Sequence, residues 1–578
     1  MLKTSLLRGA ALITLVAFAG VAQAAPDAPA KGKVVHKHHV ARHEEMKKDD
    51  GAMVANELAA MHAQIEQLRA AEEAQAAAAA QSQAQLDQMK GQLAQAQSAA
   101  QSAQSQLAAQ IQTIPGEIHK EVAAVAPKTD HIYYKGVKVT LGGFAAMETV
   151  FRTKNEGADI GSSYSAIPLN YVTTGHTKEE RFSARQSRLS LLAEGDVTST
   201  IHAAGYGEFD FLGAALTANS NESNSYQPRI RHIYSTITWD QPFGGVELLG
   251  GQTWSLLTLN AKGITPRTEV TPLTIDAQYV PGFNWARQPQ IRLTANINHE
   301  LWFAVSAENA QTTIYSSGNF LPGVKVLNTI AGGAEFPGSG TTYVLSLNKF
   351  PDVVGKVAFD HSFDGHSLHL EGYGVIRDFY DRLTSAGVNA NQDVVGGGVG
   401  GAMILGAIPK VLEIQASGLV GRGIGRYGSA QMSDISYGVD GSIHPVKEYE
   451  ILLGAIGHVG SKLDLYVYGG EERSFAQPYG TAAVFNGYGN PYLNNAGCDT
   501  EGGSCGNSTK FTDQVTVGFW ERQYQGKFGR IQWGMQYSYT ERHLFPGYGA
   551  ANPATINFDP APAARENMIL TSIRYYPF

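Results

Sequence analysis

From about residue 132 to 578, apolar and polar residues alternate with a period of two in short runs, separated by connections rich in glycine, asparagine and aspartate. Val137, Val139 and Leu141 alternate with Lys138, Thr140 and Gly142, and Glu148 and Arg152 continue the polar parity. Ile531, Trp533, Met535, Tyr537 and Tyr539 alternate with Gln532, Gly534, Gln536, Ser538 and Thr540. Such a run builds a strand with one face for lipid and one for water, and only a closed barrel lets strands satisfy their backbone inside a bilayer. There are about 17 such runs, whereas bacterial single-chain barrels have an even number of strands, so an all-β barrel of sixteen antiparallel strands is expected, with eighteen as the alternative. The ambiguous region is 446–470, where two runs are separated only by Gly457-His458-Val459-Gly460-Ser461-Lys462. The connections 155–180, 255–288, 310–340 and 474–510 are long, while Asn298-His299 and Phe363-Asp364-Gly365 are tight. Alternating long outer loops with short periplasmic turns is the barrel signature.

The pattern upstream is different. Leu58, Ile65, Leu86, Leu93, Leu107 and Ile114 share one heptad position, and Val54, Met61, Leu68, Met89, Ala96 and Ala103 share the other. Two seams in register over 54–114 predict an α-helical coiled coil spanning on the order of 90 Å. Glu72, Gln75, Ser82 and Gln110 weaken the seams, so an external template such as a barrel trimer is expected to hold the helices together. Pro115, Gly116 and Pro127 end the helix, which makes 115–131 a linker to the barrel domain 132–578. Residues 1–24 read as a secretory signal: Lys3 and Arg8, an apolar stretch, then Ala22-Gln23-Ala24. Between them, 25–53 is a polar, flexible linker. Its His36, His38, His39 and His43 form a potential metal-catching cluster, against the simpler reading of a solvated linker.

Composition narrows the class. With 64 glycines, 26 tyrosines and no stretch of about 18–20 consecutive apolar residues, the chain fits a β-barrel rather than a helical membrane protein. The net charge of −8 gives no support for nucleic-acid binding. The two cysteines, Cys498 and Cys505, enclose a glycine-rich stretch in an exported chain and are expected to form a disulfide that pins an exposed loop; their surroundings do not supply the four ligands of a metal site. No HExxH or GxxxxGK[ST] motif is present, and neither an enzyme nor a cofactor is expected.

Several local motifs carry a resemblance. Arg185-Gln186-Ser187-Arg188-Leu189-Ser190-Leu191 resembles the second-strand motif of bacterial porins. Arg231-His232-Ile233-Tyr234, then Phe243-Gly244-Gly245 and Gly250-Gly251-Gln252-Thr253-Trp254, resembles their next strand pair, and the chain ends in Tyr576-Pro577-Phe578. Arg574 interrupts the apolar alternation near that end. Together with the heptads, the chain most resembles the DcaP-like trimeric porins, with phosphate-selective porins as a second match. The resemblance implies a homotrimer of sixteen-stranded barrels in the outer membrane of a Gram-negative bacterium, with the coiled coil in the periplasm, passing small organic anions such as dicarboxylates.

A channel needs a constriction whose charges offset the dehydration of the permeating ion, and arginine suits carboxylate or phosphate through its permanent charge and planar fork. Arg188 shares parity with Ser190 and Glu194, and Arg292 with Gln290, Thr294 and Asn296, so both are expected to face the lumen. Arg181, Arg185, Arg229, Arg231 and Arg287 lie near strand ends and are further pore-lining candidates. Arg530 and Arg542 share the polar parity of their strand, while Glu148 and Glu194 face the same way and would weaken the field by pairing. The connection 255–288, with Lys262, Arg267, Glu269 and Asp276, either folds into the pore or lids it. Beside an anion-preferring channel, the open readings are a general or phosphate-type porin and a tether that contacts the cell wall through the coiled coil.

Overall fold

The structure is a computed structural model that describes residues 131–213, 221, 226–315, 318–326, 346–548 and 562–578, together with Gln88, Gly91, Gln95 and Ser98. Those four residues are helical and exposed. The signal, the histidine cluster and the remaining heptad positions lie outside the described residues. The chain divides into two units, Met1–Val125 and Ala126–Phe578, and the second is the barrel.

Sixteen strands close that barrel: β1 Val137–Arg152, β2 in two pieces (Glu179–Ser183 and Arg188–Thr198), β3 Ile201–Asp210, β4 Arg229–Gln241, β5 Gly244–Trp254, β6 Arg287–Ile297, β7 Leu301–Glu308 and β8 Asp352–Phe363. They continue as β9 His366–Ser385, β10 Val388–Ile408, β11 Leu412–Arg422, β12 Lys447–Val459, β13 Leu463–Ser474, β14 Thr509–Gly526, β15 Gly529–Leu544 and β16 Ala563–Tyr576. Each pairs antiparallel with its neighbour, and β16 returns to β1 with Ala145 opposite Tyr575 and Arg152 opposite Met568. The sheet therefore has no open edge. The expected count of sixteen holds, and the ambiguous region is two genuine strands, β12 and β13.

The alternation read from the sequence sorts the side chains. Leu189, Leu191, Ile233, Ile291, Leu293, Val515 and Ile573 are exposed on the outside, whereas Glu148, Arg292, Thr294, Gln514, Gln536 and Ser572 are buried on the inside. Arg574 keeps this alternation, standing between the exposed Ile573 and Tyr575. It is an inward polar position and not the interruption that the terminal pattern suggested. The connection from β8 to β9 is the two-residue turn Asp364-Gly365, with φ of 47° and 82°. Both signs are positive, as the turn that matches strand twist requires.

β2 is broken where the sequence carries its arginine motif. Before the break β2 pairs with the second half of β1, Glu148 opposite Ser183; after it, with the first half, Phe144 opposite Arg188. Residues 184–187 leave the ladder, and the Ser187 hydroxyl accepts a hydrogen bond from Ala146 N at 3.0 Å. A Cβ on Gly143, whose φ is +126°, would lie 2.2 Å from Arg188 O, so glycine is needed opposite the break. The break turns Arg185 and Gln186 inward, where both are buried.

At one end, long connections gather. The loop 423–446, absent from the long connections expected from sequence, forms a small sheet (Ile435–Tyr437 and Ile443–Pro445) with Ile314–Tyr315. Cys498 and Cys505 are joined by a disulfide, and Gly502 N donates to Tyr171 O at 2.9 Å, so the pinned loop rests on the loop after β1. The apolar exterior generates a test. Leu293→Arg, in the middle of a strand and facing outward, should cost about 2–4 kcal/mol of folding stability in lipid bilayers, measured by reversible denaturant unfolding; Thr294→Arg, facing inward, should not show that bilayer-dependent penalty.

Candidate functional site

Between β5 and β6 the chain runs for 255–286 without joining the wall, and this segment folds into the barrel. Its first part lies on β8 and β9. Lys356 Nζ donates to Thr258 O at 2.7 Å, Asn260 N to Glu371 Oε1 at 2.9 Å and Gly263 N to Asp360 Oδ2 at 2.9 Å. Leu256, Leu257, Leu259 and Ile264 pack against Trp302, Val354, Ala358 and Tyr373. The middle of the loop then crosses to the opposite wall. Trp520 Nε1 on β14 donates to Leu273 O at 2.8 Å, Ile275 N donates to Gln536 Oε1 on β15 at 2.5 Å, and Gln186 Nε2 from the β2 break donates to Ile275 O at 2.6 Å. Gly282 N ends the crossing by donating to Glu472 Oε1 on β13 at 2.8 Å. The sequence left open whether this connection enters the pore or covers it; it enters.

Asp276 anchors the middle of the loop. It is buried, accepts from Ser162 Oγ at 2.6 Å and Ser162 N at 3.1 Å, and so clips the loop to the connection after β1. Burial raises its carboxyl above the ordinary range, against the opposing charge of Arg152.

The crossing loop divides the lumen and leaves a cavity of about 230 Å³ against the wall formed by β2, β4 and β13–β16. Five arginines line it: Arg188, Arg231, Arg522, Arg530 and Arg574, with Asp276 and Asp464 as the acidic members. Three of the arginines are firmly paired. Arg231 holds Glu208 at 2.6 Å and Asp210 at 3.0 Å, Arg574 holds Glu148 at 2.7 Å, and Arg522 holds Asp464. The other two are not saturated. Arg188 reaches Glu208 only at 4.0 Å and its Nε has no hydrogen-bond partner. Arg530 lies 4.1 Å from the centre of the Tyr576 ring, and its Nε is also without a partner. Aromatic rings add cation–π attraction, with the Arg188 guanidinium carbon 5.3 Å from the centre of the Phe144 ring and that of Arg574 4.7 Å from the Trp520 ring.

The seven arginines named from sequence separate. Arg188 and Arg231 line the cavity. Arg292 faces inward but is sealed beneath the root of the crossing loop, donating to Trp254 O at 2.5 Å and Gln290 Oε1 at 3.0 Å. Arg185 is buried between loops, bound to Asp159 and stacked 3.2 Å from the Tyr226 ring. Arg229 grips Asp210 through two bonds of 3.0 and 2.8 Å, and Arg287 lies against Trp254 and Trp285. Arg181 is half exposed, 3.4 Å from Glu179. Of the other charges singled out in the sequence, Arg542 is engaged with Thr509 and Ile167 O, and Glu194 pairs with Lys138 and Arg267. Arg522 escaped sequence reading, and Arg574 was read only as an interruption of the terminal apolar pattern; parity places both inward.

No family model matches the chain, and no curated protein matches it. Among solved structures it is similar to the outer membrane channel DcaP of Acinetobacter baumannii, at 19% identity over 77% of this chain and 99% of that one, with a TM-score of 0.51. The chain thus shares the fold of a channel from the group its motifs resemble. More distant likenesses are the anion-selective porin from Comamonas acidovorans (12% identity, 76% and 99% of the two chains, TM-score 0.36) and Salmonella typhi OmpF (12%, 77% and 99%, 0.40).

The seating of the loop can be disturbed at one residue. Gly282 has φ +89°, and a Cβ there would stand 2.0 Å from Ile451 O. Gly282→Val should unseat the end of the loop at a cost of about 1–3 kcal/mol of backbone strain and raise single-channel conductance in planar bilayers. Unchanged conductance would mean that this loop does not set the constriction.

Proposed function

We propose that the protein is a passive diffusion channel of a bacterial outer membrane that prefers small organic anions, dicarboxylates among them. The observation that carries this reading is the pair of unsaturated guanidinium groups, Arg188 and Arg530, in the cavity beside the crossing loop. A carboxylate that sheds water in the constriction is attracted by these two charges, neither of which a carboxylate holds closely, while a cation finds the carboxylates there already engaged by Arg231, Arg522 and Arg574. Two separate cationic groups suit a solute with two acidic ends. The apolar exterior of the barrel supports a membrane location, and the secretory signal and heptads read in the sequence support a homotrimer with its coiled coil in the periplasm.

A second reading, a channel with little preference, is favoured by the ion pairs themselves. Five arginines are opposed by Glu148, Glu208, Asp210, Asp276 and Asp464, so the mean field in the lumen is small. Selectivity would then rest on local donors and not on net charge.

Reversal potentials under a salt gradient separate the two readings. A unit charge about 4 Å from an ion in water is worth about 1 kcal/mol, roughly fivefold. Arg188→Ala and Arg530→Ala should each lower the anion-to-cation permeability ratio by about that factor, while Arg292→Ala should leave it nearly unchanged. Equal, weak effects at all three positions would favour the unselective channel, and cation selectivity of the parent would exclude the anion reading. Conductance steps in threes would support the trimer.

A further inference from the structure

Where the crossing loop ends against the inner wall, three glutamates face inward: Glu448 and Glu450 on β12 and Glu472 on β13. They are 2%, 2% and 1% exposed. Glu450 and Glu472 are direct cross-strand neighbours, so their carboxyl groups share one small space. Among the described residues none of the three takes part in an ion pair.

Their hydrogen bonds account for only part of their oxygens. Glu448 accepts from Ser474 Oγ at 2.9 Å and Ile424 N at 3.2 Å. Glu472 Oε1 accepts from Gly282 N at 2.8 Å and Ala430 N at 2.9 Å, and Glu450 Oε2 is bound by the Asn284 amide. Glu450 Oε1 and Glu472 Oε2 have no partner at all, although both atoms are enclosed. Backbone N–H donors favour charged carboxylates, yet two adjacent buried charges without a counter-charge are costly. The packing around them is close: a Cβ on Gly428 would lie 2.2 Å from Glu472 Oε2, and one on Gly470 would lie 2.0 Å from Pro281 O.

We propose that Glu450 and Glu472 form a binding site for a hard divalent cation of the calcium class, which locks the crossing loop and the loop 423–446 onto the barrel wall. The donors are the carboxylate oxygens of Glu450 and Glu472, hard ligands that suit calcium and not a softer metal, and the Asn284 amide nitrogen, which now donates to Glu450 Oε2, would turn aside for the ion. The site joins three segments, Pro281–Asn284, Gly428–Ala430 and the β12–β13 wall, so a bound ion stabilises the seated loop through linkage. Asp513, Glu541 and His543 form a second acidic group, but Arg565 stands 3.0 Å from Glu541 and already balances it.

Terbium luminescence tests the site directly, because Trp285 adjoins Asn284 and can sensitise a bound lanthanide. In the folded full-length protein in detergent, Tb³⁺ should give saturable emission that Ca²⁺ displaces, and Asp513→Asn/Glu541→Gln should retain it. Glu450→Gln/Glu472→Gln removes both charged ligands and should weaken Tb³⁺ binding by more than about tenfold. Should that variant fail to fold, Trp285→Phe in the otherwise native chain should cut the Ca²⁺-sensitive emission severalfold. The proposal is overturned if the parent gives no Ca²⁺-displaceable emission, or if the emission survives Glu450→Gln/Glu472→Gln or Trp285→Phe undiminished; the two carboxyls would then share a proton.

Discussion

Everything in this molecule follows from the cost of leaving a backbone N–H or C=O without a partner where water is scarce. In the bilayer that cost forces sixteen strands into a ring, and the pairing of β1 with β16 removes the last open edge. The same constraint acts a second time inside the ring. A segment of irregular backbone, 255–286, occupies the lumen, where strand pairing does not satisfy it. The wall supplies the partners instead: Glu371, Asp360, Glu472 and Gln536 accept from loop N–H groups, while Lys356, Gln186 and Trp520 donate to loop carbonyls. Much of the inward-facing polar surface thus serves the loop and not the solute.

This division of labour decides which charges are left for permeation. An inward arginine is available only if no carboxylate or loop carbonyl has claimed it. Arg292 is claimed by Trp254 O, Arg231 by Glu208 and Asp210, and Arg574 by Glu148. Arg188 and Arg530 keep an unsaturated donor each: Glu208 comes no nearer than 4.0 Å to Arg188, and both guanidinium groups lie over an aromatic ring, which attracts the charge without consuming its N–H groups. The acidic side of the lumen shows the complementary case. Glu450 and Glu472 each keep one idle oxygen, so the loop is held between a wall with spare donors and a wall with spare acceptors.

The break in β2 links the strand framework to that arrangement. Four residues leave the ladder, Gly143 allows the close approach, and Gln186 is dropped into the lumen to bind Ile275 O while accepting from Arg574. A porin-like motif recognised in the sequence as part of a strand owes its structural role to the point where the strand stops being regular. Its arginines divide accordingly, Arg185 going to a loop contact and Arg188 to the cavity.

The sequence by itself determined the barrel and the face to which each side chain points, with sixteen strands expected and eighteen left open, because period-two alternation and turn chemistry are local properties written within a few residues, whereas the count was fixed only by the closure of the ring. It determined the inward direction of Arg188 and Arg292 for the same reason. Only the tertiary structure decided that 255–286 crosses the lumen, that Arg292 is sealed while Arg188 is not, and that Arg522, Arg530 and Arg574 meet Arg188 around one cavity. Those outcomes depend on partners far apart in the chain, Ser162 with Asp276, Glu148 with Arg574 and Gln186 with Ile275. Parity shows where a side chain points, but the claim on its hydrogen bonds is settled by whatever closure of the ring brings opposite it.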